Sequence, residues 1–150
     1  MEAGKRKIIL IGNPNVGKSM VFNHLTGLYA TVSNYPGTTV DVTRGRMRLN
    51  GMRFEVVDTP GIYSLIPTGE EEQVTRRLLF EEHPDLVIHV ADAKNIRRSL
   101  RLTLQLLDAG FRVLLQLNMM DEAHKAGRSI DIEVLQEKLG IPVVATSATE

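Results

Sequence analysis

The chain has 150 residues, 43% of them hydrophobic, enough to bury the core of one ordinary domain. Lys plus Arg and Asp plus Glu both number 18, so no overall basic field recruits nucleic acid and no nucleic-acid partner is expected. The absence of Cys excludes a disulfide framework, thiolate metal ligation and a thiol nucleophile, and the apolar run from Ile8 to Ile11 is too short for a signal-peptide core or a membrane span.

In chain order, Lys7 to Ile11 is apolar and β-branched and reads as a strand entering a Gly-rich turn. Lys18 to Thr26 follows with Val21, Phe22 and Leu25 at helical spacing and Gly27 at its end. Residues 30–40 and 59–72 read as two long irregular segments. Between them, Thr43 to Leu49 and Met52 to Asp58 flank Asn50-Gly51, a strong hairpin signal, and should supply an antiparallel edge. Leu86 to Ala91, Phe111 to Leu117 and Val143 to Thr146 are short, nearly continuous apolar runs, as expected of parallel strands covered on both faces. A helix is predicted from Arg98 to Ala109 with Leu100, Leu104 and Leu107 as its apolar stripe, and another from Ile132 to Leu139, stopped by Gly140 and Pro142. The fold expected is α/β: a mostly parallel, doubly wound sheet with one antiparallel edge strand from the hairpin and helices on both faces. Its ligands should sit at the carboxyl ends of the strands.

Four motifs fall at those ends. Gly12-Asn13-Pro14-Asn15-Val16-Gly17-Lys18-Ser19 fits G-x-x-x-x-G-K-S/T between the first strand and the first helix. In such a P-loop, backbone N–H groups wrap the phosphates, Lys18 brings a positive charge to the terminal phosphates and the Ser19 hydroxyl ligates Mg²⁺. Asp58-Thr59-Pro60-Gly61 ends the third strand; Asp58 supplies a carboxylate for the outer shell of Mg²⁺, and Gly61 can bring its N–H to a γ-phosphate. Asn118-Met119-Met120-Asp121 fits N-x-x-D, in which Asp121 accepts two N–H bonds from guanine and is left poorly paired by adenine, selecting GTP or GDP. Thr146-Ser147-Ala148 follows the last strand and would place the Ala148 N–H near guanine O6. Thr38 and Thr39 compete for the threonine that binds Mg²⁺ and reads the γ-phosphate, with Thr39 favoured.

The segments Gly12 to Ser19, Ser33-Asn-Tyr-Pro-Gly-Thr-Thr-Val40, Asp58-Thr-Pro-Gly-Ile-Tyr-Ser-Leu65 and Asn118 to Asp121, with Asp92-Ala93 through Leu104-Gln105-Leu106-Leu107, resemble the cytosolic G domain of the bacterial ferrous-iron transporter FeoB family. That resemblance implies a P-loop GTPase that regulates ferrous iron uptake across the bacterial inner membrane. It places Thr39 as the switch threonine, Tyr35 as the aromatic of the first switch and Asn15 as the residue that helps hold K⁺ beside the phosphates. A cation there neutralises charge developing between the β- and γ-phosphates. It also implies partners within a longer protein: a helical regulatory domain and a membrane transport domain. On this reading residues 1–150 form a single GTP-binding domain without its last helix, which would leave an apolar sheet face uncovered, and the oligomeric state stays open.

The chain departs from common patterns at two positions. Met119 stands where many GTPases carry a Lys against the base, and Ile62 stands where Ras-type switches carry a water-orienting Gln. Slow hydrolysis is therefore expected, assisted by backbone groups, the second switch, a cation or a partner. A GTP-sensing module with negligible hydrolysis and a ribosome-assembly-type GTPase remain as alternatives. His24, His83, His89 and His124 lack ligand spacing and are assigned no iron. Glu70, Glu71 and Glu72 read as a solvated run before a helix, Arg44, Arg46 and Arg48 as facing water, and Arg97, Arg98 and Arg101 as a solvated helix face or a docking surface for another domain.

Overall fold

A computed structural model of the chain describes residues 5–27 and 30–147. The strands β1 (Lys5–Gly12), β2 (Ala30–Asn34), β3 (Asp41–Leu49), β4 (Met52–Asp58), β5 (Leu86–Asp92), β6 (Val113–Asn118) and β7 (Val143–Ala145) form one sheet in the order β2-β3-β4-β1-β5-β6-β7. All pairs from β4 to β7 are parallel, whereas β3 runs antiparallel to both β4 and β2. The helices are α1 (Lys18–Thr26), α2 (Glu70–Glu82), α3 (Ile96–Asp108), α4 (Met120–Lys125) and α5 (Ile132–Leu139), with a 3₁₀ turn at Ala93–Asn95 leading into α3.

The continuous apolar run of β1 serves two layers because successive side chains point to opposite faces. Ile8 and Leu10 pack with Val21 and Phe22 of α1, while Ile9 and Ile11 pack with Leu78 and Leu79 of α2 and Leu102 and Leu106 of α3. A third cluster joins Leu115 and Leu117 of β6 to Ala123 of α4 and Val143 of β7. The hairpin turns at Asn50 (φ 52) and Gly51 (φ 79), both left-handed, as a two-residue turn matching the strand twist requires.

Several expectations change. The hairpin strand β3 is antiparallel as predicted but is not the edge: β2 lies outside it, within the segment read as irregular. All five residues of β2 are exposed, so it is held by backbone hydrogen bonds to β3 and shows no apolar alternation. The second irregular segment ends at Gly69, where Glu70, Glu71 and Glu72 form the first turn of α2 and complement its dipole. On α3 the buried stripe is Ser99, Leu102, Thr103 and Leu106, whereas Leu104 is 51% exposed and Leu100 and Leu107 are half-buried. Arg44 does not simply face water; it donates to both carboxylate oxygens of Glu82, at 2.9 and 2.7 Å, and to Glu55 at 3.2 Å. Lys7 adds a 2.6 Å bond to Glu82, tying β1, β3, β4 and α2 together away from the strand ends that carry the motifs.

Two buried or paired groups give the stability a pH dependence. His89, fully buried on β5, has Nδ1 2.7 Å from the Thr103 hydroxyl, and desolvation lowers its pKa to about 4. The unfolded chain takes up this proton below about 6.5, so stability falls as pH drops from 6.5 towards 4, on the order of 2 kcal/mol between pH 7 and pH 5. The Arg44 bonds, supported by Lys7 and opposed by burial, lower Glu82 to about 2. Its contribution is present above the ordinary carboxylate value and is lost as pH falls towards 2. Urea unfolding across pH should find a shallower slope between pH 7 and 5 in His89→Leu, and a shallower slope only below pH 4.5 in Glu82→Gln. Parallel profiles in the native and variant chains would contradict these assignments.

Candidate nucleotide site

The parallel register sets the ends of β1, β4, β5 and β6 side by side: Leu10 is opposite Asp58, Gly12 opposite Val90, and Asp92 opposite Asn118. Between Gly12 and α1 the backbone passes through left-handed geometry at Asn15 (φ 65) and Gly17 (φ 83). A side chain at Gly17 would both resist that φ and strike the Asn118 amide nitrogen. The loop walls a cavity of about 440 Å³ lined by Asn13, Pro14, Asn15, Lys18 and Ser19, with Gly61 opposite. The cavity opens at the N-terminus of α1, whose first turn carries no acidic residue, leaving its partial positive charge for an anion.

Lys18 is 8% exposed, and its ammonium group donates to the Asp58 carboxylate and the Thr59 carbonyl. A buried cation needs such compensation, and Asp58 supplies it. Asp58 and the exposed Ser19 hydroxyl are hard oxygen donors flanking the lysine, a donor set that suits Mg²⁺. Asn13 is buried with its Oδ1 unpaired at the same cavity, and the exposed Asn15 offers a second amide oxygen there.

The two segments expected to act as switches are tied to the helices behind them. Gly61 approaches the phosphate loop so closely that an added Cβ would lie 2.9 Å from Pro14 Cα, and the Ile62 N–H donates to Gly12 O at 2.9 Å. The Ile62 side chain is fully buried in the core. Thr39 does not line the cavity: its N–H and hydroxyl both donate to Glu70 Oε1, each at 2.8 Å. Glu70 is thus not merely a solvated charge, and those two bonds lower its pKa. The Thr38 hydroxyl donates to Tyr35 O at 2.9 Å and accepts from the Val40 N–H at 3.1 Å, so it closes a local turn. Gln105 of α3 holds the second switch by accepting from Leu65 N–H at 2.8 Å and donating to Ser64 Oγ at 3.0 Å. Sequence reasoning met Gln105 only within the family-like stretch Leu104 to Leu107 and gave it no role; its local signal is a lone amide among leucines.

The base-side loop is fastened to the phosphate loop. Asn118 is fully buried and donates from Nδ2 to Val16 O at 2.8 Å, while its Oδ1 accepts from the Thr146 hydroxyl at 3.2 Å. Met119 takes a left-handed conformation (φ 61) and starts α4, which places Asp121 in the first helical turn. The Asp121 N–H donates to the Ser147 hydroxyl at 3.2 Å, and Ser147 with nearby N–H groups lowers the pKa of its carboxyl against the opposing effect of burial. Asp121 Oδ1 is buried and without a hydrogen-bond partner, the arrangement that a ligand with N–H donors would complete. Ala148 lies outside the described residues. The predicted residues Asn13 to Ser19, Asp58 and Gly61 therefore come together, Asn118, Met119, Asp121 and Ser147 form an adjoining wall, and Thr38 and Thr39 stand apart on the first switch.

A sequence model of the family described as Ferrous iron transport protein B matches residues 6–150. The chain is 45% identical over 141 residues to the Fe(2+) transport protein A/Fe(2+) transporter FeoB fusion protein of Porphyromonas gingivalis, covering 93% of this chain and 17% of that protein. It is 42% identical to the Fe(2+) transporter FeoB of Synechocystis, covering 96% of this chain and 24% of that one. The chain therefore spans less than a quarter of the length of these relatives. Among solved structures, the G domain of the T. maritima FeoB iron transporter is similar with TM-score 0.89 and 42% identity, over 97% of this chain and 89% of that one. An S. thermophilus NFeoB mutant bound to GDP is similar with TM-score 0.90 and 43% identity, over 96% of this chain and 55% of that one. With the match running through the phosphate loop, both switch segments and the base-side loop, the chain belongs to the ferrous iron transport protein B (FeoB) family.

Proposed function

We propose that this chain is a GTP-binding switch domain that hydrolyses GTP slowly and regulates ferrous iron uptake as the cytoplasmic part of a longer protein of the bacterial inner membrane. In that longer protein a helical regulatory domain and a membrane transport domain complete the machine. The observation that carries this reading is the Asn118 bond to Val16 O at 2.8 Å, which ties the loop bearing the unpaired Asp121 carboxylate oxygen to the phosphate loop. One site then addresses a guanine edge and a polyphosphate together.

Lys18 leaves Asp58 to meet the terminal phosphates, and backbone N–H groups from Asn13 to Ser19 cradle them. Ser19, Asp58 and Thr39 would hold Mg²⁺, and Asn15 would hold K⁺; these ions supply neutralising charge at the phosphate oxygens when bound. Thr39 joins the site by exchanging Glu70 for it, which makes the first switch responsive to the γ-phosphate. Ser147, with Ala148 beyond the described residues, completes the guanine wall around Met119 and Asp121.

The buried Ile62 side chain favours a second reading, in which GTP occupancy alone signals and hydrolysis is negligible. Phosphate release from GTP with Mg²⁺, measured in matched KCl and NaCl, separates the two. The GTPase reading expects turnover in both salts, on the order of tenfold faster in K⁺, with the K⁺ increment lost in Asn15→Ala. Equal rates in both salts would remove Asn15 from the chemistry, and no release in either salt would leave the binding module. Lys18→Ala should weaken GTP binding by at least about a hundredfold; unchanged affinity would end the phosphate-loop assignment.

A further inference from the structure

Beyond the nucleotide cavity, a second concavity of about 820 Å³ lies between the second switch and the start of α3. Five of its eight lining residues are cationic: Lys94, Arg97, Arg98, Arg101 and Arg128. Lys94 is paired with Glu122 at 3.3 Å, but among the described residues none of the four arginines has a carboxylate within ion-pair reach. Arg97 and Arg98 occupy the first turn of α3, which has no acidic residue and where the helix dipole already disfavours positive charge. The four arginines therefore leave the groove electropositive.

The surroundings narrow the kind of anion. Arg98 lies over the Tyr63 ring at 4.5 Å, and Tyr63 itself is 47% exposed. Leu104, one helical turn beyond Arg101, and Ile66, beside the Leu65 that Gln105 holds, are exposed at 51% and 57%. Charged residues are depleted from the buried centres of protein interfaces, and among the described residues Ile96 is the one aliphatic side chain lining this groove. Guanidinium groups that bind phosphate bidentately, beside an exposed Tyr and with the exposed Leu104 one turn further along the same helix, match a phospholipid surface.

We propose that the groove formed by Tyr63, Lys94, Arg97, Arg98, Arg101 and Arg128 docks on anionic phospholipid headgroups, with Leu104 and Ile66 at the interface. The choice of a lipid surface rests on the reading of this chain as the cytoplasmic part of a transporter. Because Tyr63 is two residues after Gly61, the same segment forms part of both the nucleotide cavity and the docking face. Rearrangement of the second switch would then alter contact with the membrane.

The test is co-sedimentation of the chain with vesicles of phosphatidylcholine alone or with about 30 mol % phosphatidylglycerol. Binding is expected only to the anionic vesicles and should weaken with salt. The triple change Arg97→Gln, Arg98→Gln, Arg101→Gln should lower it by at least about tenfold, whereas the isocharge control Arg46→Gln, Arg48→Gln, Arg53→Gln on the β3–β4 hairpin should change it little. Leu104→Ser, at an exposed position, should also weaken it, and circular dichroism would establish that each variant is folded. Equal binding to both vesicles, no binding at low salt, or equal losses in the two triple variants would overturn the proposal. So would binding of poly-glutamate with the vesicles ignored, which would assign the groove to an acidic protein segment. Phosphate release from GTP is read separately, so a failed GTPase reading and a failed docking surface remain distinguishable.

Discussion

Asn118 joins three strand ends through one buried amide. It leaves β6, donates to Val16 O in the loop after β1, and accepts the Thr146 hydroxyl from the end of β7. Leaving such a buried amide unpaired would cost about 1–3 kcal/mol, so the loops are held in register by the same sheet spacing that aligns the strands. Gly17 is constrained as a consequence, because the space its side chain would fill belongs to Asn118. The loop that walls the cavity and the loop that carries Asp121 are thereby joined.

The switch segments are built differently. Thr39 is held by two bonds to an exposed glutamate, and Leu65 and Ser64 by one glutamine. Hydrogen bonds to an exposed carboxylate compete with water, so they exchange readily for other contacts. Lys18 and Asp58 pair with each other, each compensating the other's charge. Loops held by a few exchangeable side-chain bonds, beside a phosphate loop fastened by a buried amide, are what the proposed switch function requires.

Much of this was readable from residue order. The Asn50-Gly51 turn, the apolar run of β1 and the phosphate loop before α1 have local causes, and local patterns reveal them. What escaped depends on tertiary partners. The strand β2 is fully exposed, so its side chains carry no periodic signal. On α3, leucines at 100, 102, 104, 106 and 107 satisfy more than one stripe, and the true phase buries Thr103 against His89 on β5. Arg44 leaves the solvent-facing pattern because Glu82 of α2 and Glu55 of β4 converge on it. At the site, Asp121 and the lysine loop were legible as motifs, whereas the Glu70 and Gln105 attachments required knowing which helix lies behind each switch.

The central claim is that the adjoining phosphate and base walls select a guanine nucleotide. Calorimetric titration of the chain with GDP and with ADP, both with Mg²⁺, tests it most directly. Binding of GDP at least about a hundredfold tighter than ADP, with that margin removed in Asp121→Ala, is the predicted result. Equal affinity for the two nucleotides, or a margin that survives the substitution, would contradict it.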